Sequence, residues 1–251
     1  MLKIKRFLEY RVCSLCHKEF LAYQVSKFSK DSYICQSCRF GQSYFIKNSN
    51  TKGKQKEMSY SFEFETSNRS NSLYELAKLN FIGCSDGSIG GLEWKSPIFY
   101  SKKSFHSICK KLDKYARFVG PSCGTHLHVG TQYKDLFREY ERELFKPIIK
   151  VMLENEDKTV KFWGRNFNGY CHAEISNTRY NSFNTRSSVD TLEFRLLKFI
   201  NAEQYIRACD FCIEMTRFLN HSVIDGGLNS EKAKNIGETV ANKYKEVIQN
   251  V

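Results

Sequence analysis

Four short segments of this chain alternate large apolar residues with charged ones, and that alternation has the period of a β-strand. They are Phe62-Glu63-Phe64-Glu65, Gly91-Leu92-Glu93-Trp94, Thr125-His126-Leu127-His128-Val129 and Leu192-Glu193-Phe194-Arg195. In a strand, residues i and i+2 point to the same side. Each segment therefore has an apolar side and a side bearing carboxylates, imidazoles or a guanidinium. If the four share one sheet, the apolar sides make a core. The opposite sides then make one face carrying Glu63, Glu65, Glu93, Glu193, His126, His128 and Arg195. Carboxylates so crowded repel one another unless cations neutralise them, and oxygen ligands with an occasional imidazole suit Mg²⁺ or Mn²⁺. Any one segment alone reads as an amphipathic strand with a solvated side; four together point to a shared metal site.

The remaining periodicity is helical. Ser72–Phe81 has the pattern of a helix, and Lys103–Val119 places Phe105, Ile108, Cys109, Leu112 and Ala116 on one helical face. Tyr133–Glu156 reads as a long helix interrupted or kinked at Pro147. Two more helices, Asn201–Val223 and Ser230–Asn250, flank the turn signal Asp225-Gly226-Gly227. Strands scattered among helices predict an α+β fold, with helices covering an antiparallel or mixed sheet.

Four of the ten cysteines form two tight pairs, Cys13-Ser14-Leu15-Cys16 and Cys35-Gln36-Ser37-Cys38, separated by eighteen residues. Two residues between thiolates let one knuckle present both sulfurs to a tetrahedral ion, and the loop folds the second knuckle onto the same metal. A region this small buries too little apolar surface to fold alone, so a structural Zn²⁺ supplies the stability. His17 is then superfluous as a ligand. The expected organisation is a zinc ribbon over residues 1–46, a polar Lys-rich linker over 47–57, and a larger domain over 58–251.

The net charge of +12 favours polyanionic partners such as a nucleotide, an acidic polymer or nucleic acid. In the ribbon, Lys18, Lys27, Lys30 and Arg39, with Phe20, Tyr23 and Phe28, could engage a nucleic acid by charge and stacking. No run approaches the roughly 18 apolar residues of a membrane span, and Met1–Val12 lacks the apolar core of a secretory signal. With six cysteines scattered through amphipathic segments, these features predict a reducing, cytoplasmic setting. There is no P-loop. His106, His172 and His221 read as structural or exposed, Cys209 and Cys212 as packing, and Cys123 and Cys171 as buried thiols.

The ordered set of motifs resembles a family. Phe62-Glu63-Phe64-Glu65 is followed by Asp86-Gly87-Ser88 with Glu93 and Ser96-Pro97. Then come Cys123-Gly124-Thr125-His126-Leu127-His128, Arg179-Tyr180-Asn181 and Leu192-Glu193-Phe194-Arg195. Over roughly Tyr60–Asn201 the chain is similar to the amidoligases, relatives of glutamine synthetase and glutamate–cysteine ligase. The resemblance implies a glutamine synthetase-like concave sheet holding ATP and two or three Mg²⁺ or Mn²⁺ ions. It implies a ligase that phosphorylates a carboxylate and lets an amine displace the phosphate, with a peptide or anionic polymer among the conceivable acceptors. On matching positions, Glu63, Glu65, Glu93, His126 and Glu193 would bind metal, and Glu65 would be essential for catalysis. Arg195 would sit near the acyl phosphate and His128 near the nucleotide phosphates. Arg179 would stabilise the γ-phosphoryl group, a role open also to Arg165 or Arg186, and Asn181 would position substrate. Asp86-Gly87-Ser88 reads as a turn aiming Glu93. Two other classes compete: a metal-dependent hydrolase or nuclease, in which the same carboxylates activate water, and a non-catalytic zinc-ribbon protein that binds nucleic acid.

Overall fold

The computed structural model describes residues 10–13, 17–29, 32–35, 58–67, 71–84, 91–187, 189–224 and 227–251. Cys16, Cys38, the linker 47–57 and Asp86-Gly87-Ser88 lie outside these residues. Near the N-terminus, β1 (Tyr10–Val12) pairs with β2 (Glu19–Leu21), and β3 (Val25–Ser29) pairs with β4 (Ser32–Cys35), both antiparallel. The larger sheet comprises β5 (Tyr60–Thr66), β6 (Ile82–Cys84), β7 (Leu92–Lys95), β8 (Thr125–Gly130), β9 (Phe183–Asn184) and β10 (Thr191–Phe194). Its order is β6-β7-β5-β8-β10-β9, with every pairing antiparallel. The four alternating segments are thus the four central strands of one sheet.

Register keeps the two kinds of side chain apart. Glu63 lies opposite His126 on one neighbour and Lys95 on the other, Glu65 opposite Glu93, and Glu193 opposite His128. On the other side Phe64 faces Trp94, Phe62 faces Leu127 and Leu192 faces Val129. These apolar side chains are essentially sealed from water, each such burial contributing about 1.5 to 3 kcal/mol.

Helices cover that apolar side. They are α1 (Lys102–Leu112), α2 (Lys134–Glu139), α3 (Glu141–Glu154), α4 (Glu156–Trp163), α5 (Ala202–Ile224) and α6 (Ser230–Gln249). Phe62 meets Phe105 of α1 and Tyr205 of α5, each at 5.7 Å between ring centres. Phe183 stacks on Phe145 of α3 at 5.1 Å and meets Phe194 edge-on at 5.8 Å. A buried chain of hydrogen bonds joins Trp163 at the end of α4 to Tyr244 of α6 and on to Thr159. The fold is α+β, as the pattern predicts. Among the described residues no helix is long and apolar enough to cross a membrane.

Three local expectations change. The helix expected over Ser72–Phe81 is a 3₁₀ stretch, Asn71–Leu79, and α1 tightens into a second one, Asp113–Phe118. The long helix expected over Tyr133–Glu156 is α2, α3 and the start of α4, with joints at Tyr140 and Asn155; α3 continues through Pro147. Proline lacks the N–H that would bond the Glu143 carbonyl four residues back. That carbonyl is where α6 approaches: a methyl on Gly237 would stand 2.3 Å from the Glu143 oxygen and 2.8 Å from that of Leu144. Finally, β6 and β9 are too short to show a period in the sequence.

Candidate metal centre

Glu63 and Glu65 project from β5, Glu93 and Lys95 from β7, His126 and His128 from β8, and Glu193 from β10, all onto the face away from the helices. Ligand atoms of Glu63, His128 and Glu193 lie within 4.8 Å of one another, a spacing that one ion could draw together. His126 sits beside them, its Nδ1 3.3 Å from Glu63 Oε2 and 3.6 Å from Glu193 Oε1. The neighbouring groups are held from outside the cluster. Gly124 N–H donates to Glu65 Oε2 at 2.5 Å, Asn184 Nδ2 donates to Glu193 Oε2 at 2.5 Å, and Thr191 Oγ1 lies 3.1 Å from His128 Nδ1. Contacts of this kind orient metal ligands and leave their other lone pairs aimed inward. Two carboxylates and an imidazole fit a divalent ion such as Mn²⁺.

Lys95, absent from the sequence-based site, is its most consequential addition. Its Nζ lies 2.5 Å from Glu63 Oε1 and 2.6 Å from Glu93 Oε1, bridging carboxylates of adjacent strands. The signal for it was present: Lys95 follows Glu93 at i+2, the same rule that paired Glu63 with Glu65. Arg195, at the end of β10, donates to Glu193 Oε1 at 2.5 Å and to the Tyr170 carbonyl at 3.1 Å.

The electrostatics follow from burial and charge together. Burial by itself would raise the Glu63 carboxyl, but Lys95 and hydrogen bonds from His126 and His128 hold it well below the usual range. Burial opposes ionisation of Glu193 too, and His128, Arg195 and His126 outweigh it. Glu93 goes the other way: burial and the charge of Glu63 raise it, with Lys95 offsetting only part. Burial would lower His128, yet hydrogen bonding and attraction from Glu63, with Glu193, raise it. Burial would likewise lower Lys95, and Glu63 and Glu93 hold it above its ordinary value.

A third cation reaches the edge of this face. Arg165, just beyond α4, is 6% exposed, and its Nε and Nη2 have no hydrogen-bond partner among the described residues. A methyl on Gly124 would stand 2.5 Å from Arg165 Nη1 and 2.6 Å from His126 Nε2, so the guanidinium lies beside the cluster in space that only glycine leaves open. Burial and the Arg165 charge together lower the ammonium of nearby Lys198. No family model, curated protein or solved structure matches this chain.

Of the other expected site residues, Arg179 is exposed, its guanidinium 5.2 Å over the Tyr180 ring that Arg195 also contacts at 5.6 Å. Asn181 is buried, but its amide is committed to the backbone of Ser176, accepting at 3.2 Å and donating at 2.9 Å, which closes a turn. Arg186 is committed to Glu141, with Nη1 2.7 Å from both carboxylate oxygens. In the N-terminal module Cys13 and Cys35 are buried together, with Cys35 N–H 3.4 Å from Cys13 Sγ. His17 N–H donates to the Cys13 carbonyl at 2.9 Å, and His17 takes a left-handed φ of 58°.

Proposed function

We propose that this chain is an ATP-dependent carboxylate–amine ligase of the amidoligase type, with a glutamine synthetase-like catalytic sheet and an N-terminal zinc ribbon. The observation that carries the reading is the convergence of Glu63, His128 and Glu193 on one face, with Arg165 beside it, its Nε and Nη2 unmatched among the described residues. Transfer of a phosphoryl group needs neutralised phosphate oxygens and fixed cations where charge accumulates. Glu63, His128 and Glu193 would hold a divalent ion, with His126 and Glu65 flanking it. When bound, Mg²⁺ or Mn²⁺ with ATP supplies the activated phosphoryl group and draws charge from its oxygens.

The protein's own part is positional. Arg165 offers two N–H directions to an incoming anion, in the planar arrangement that pairs two oxygens at once. It suits the γ-phosphoryl role better than Arg179, which lies over the outer Tyr180 ring, or Arg186, already paired with Glu141. Arg195 is close enough to balance an acyl phosphate or a substrate carboxylate near Glu193. The Gly124 N–H keeps Glu65 oriented toward His126. Cys13 and Cys35, joined by Cys16 and Cys38, would hold the structural Zn²⁺.

The test is ADP release by the purified protein with Mn²⁺, ATP and pools of carboxylates and amines. Release should require both a carboxylate and an amine, and Glu65→Ala should reduce it more than about 100-fold. Equal ADP release by a well-folded Glu65→Ala protein defeats the reading. The same three ligands would also serve to activate water. Cleavage of a peptide or nucleic acid by the Mn²⁺-loaded protein without ATP would transfer the site to a hydrolase.

A further inference from the structure

We infer that Lys95 is a resident cation standing in for a second metal ion, so that this face takes one divalent ion, on Glu63, His128 and Glu193. The sequence resemblance implies two or three ions with Glu93 among their ligands; here Glu93 serves the lysine instead. The inference rests on the metal-centre reading of the same face.

Two observations carry it. The first is occupancy. The Lys95 ammonium contacts Glu63 and Glu93 at 2.5 and 2.6 Å, from a side chain only 15% exposed. A divalent ion binding the same two oxygens would have to share that space with a positive charge, and the two repel at short range. The second is charge balance. Among the described residues, Glu63, Glu65, Glu93 and Glu193 are the carboxylates of the four central strands on this face, while Lys95 and Arg195 are the Lys or Arg side chains ion-paired to them. The deficit left corresponds to a single divalent ion. The donors of that ion, centred on β5, β8 and β10, lie on the side of Glu63 away from β7. Arg165, whose Nε and Nη2 have no partner among the described residues, remains for an incoming anion rather than for these carboxylates.

The sheet register makes the arrangement possible. Lys95 lies directly opposite Glu63, and Glu93 directly opposite Glu65, so a single lysine reaches one carboxylate across the strand gap and one on its own strand. Without it, Glu63 and Glu93, diagonal neighbours across β5 and β7, would lose the cation between them, leaving two like charges in an unfavourable placement.

The test is a Mn²⁺ titration of the full-length protein, read by the loss of the free-ion paramagnetic resonance signal. It counts hard ions without registering zinc held by thiolates. The native protein is expected to bind one Mn²⁺, and Lys95→Met to bind two. Lys95→Arg should return the count to one, as should adding Glu93→Gln to Lys95→Met. Two or more ions in the native protein, or one in a folded Lys95→Met protein, overturns the inference and leaves the metal-centre reading standing. No bound ion in the native protein overturns both. Should Lys95→Met not fold, Glu93→Gln decides. It should keep one ion with affinity within about threefold, whereas Glu193→Gln weakens binding more than about 100-fold. Comparable losses in those two variants would make Glu93 a ligand and remove the role assigned to Lys95.

Discussion

A buried guanidinium with unmatched N–H groups costs a fold about 1 to 3 kcal/mol for each unmet donor, and Arg165 has two such groups. A site that binds an anion tolerates that cost because the ligand satisfies the donors. Arg165→Met keeps the aliphatic stem and removes the unmatched groups. Its thermal midpoint should equal or exceed the native one by a few degrees, measured by calorimetry without ligands, while ADP release falls more than about 100-fold. A lower midpoint with activity retained would make Arg165 a structural residue. The sequence named Arg165 only as an alternative to Arg179, because its place beside Gly124 and His126, some forty residues away in sequence, is not a local pattern. Arg179 and Asn181 show the converse. They form a plausible motif, but one lies over an outer ring and the other closes its own turn.

At the scale of elements, the strands were legible because their signal is local. Glu63, His128 and Glu193 each sit between apolar neighbours, and a two-residue period assigns each side chain to a face whatever its strand pairs with. Helix ends were less legible. Pro147 suggested a break, yet α3 continues through it, since packing against α6 outweighs the lost hydrogen bond. The close approach at Gly237 belongs to that interface, where any side chain would meet the backbone of α3. Gly237→Ala should therefore destabilise the protein by about 1 to 3 kcal/mol, even though alanine is the better helix former. Urea unfolding followed by circular dichroism measures it, and a stabilised variant would refute the packing account.

For the whole molecule, the N-terminal module is not remote from the sheet: β3 and the short turn before it contact β6, the strand at one edge. A covered edge strand is protected from pairing with other chains. The module's own core is small, with Cys13, Val25 and Cys35 buried and Phe20 and Tyr33 packed against them, so a metal is expected to hold it. Elemental analysis should find one zinc per native chain and none in the Cys13→Ser, Cys35→Ser double variant. The variant's thermal midpoint should also fall, reflecting loss of metal-coupled folding; full stability without zinc would refute a structural metal. The alternation of the strands is a property of neighbours in the chain, so sequence alone determined the α+β class and which residues share the charged face. Which of those residues meet was decided only in three dimensions. Lys95 finds Glu63 through the register of β5 against β7, and Arg165 arrives beside His126 through the path of the chain beyond α4. Strand register and helix packing depend on hydrogen bonds and buried surfaces between segments far apart in sequence, and a local pattern contains neither.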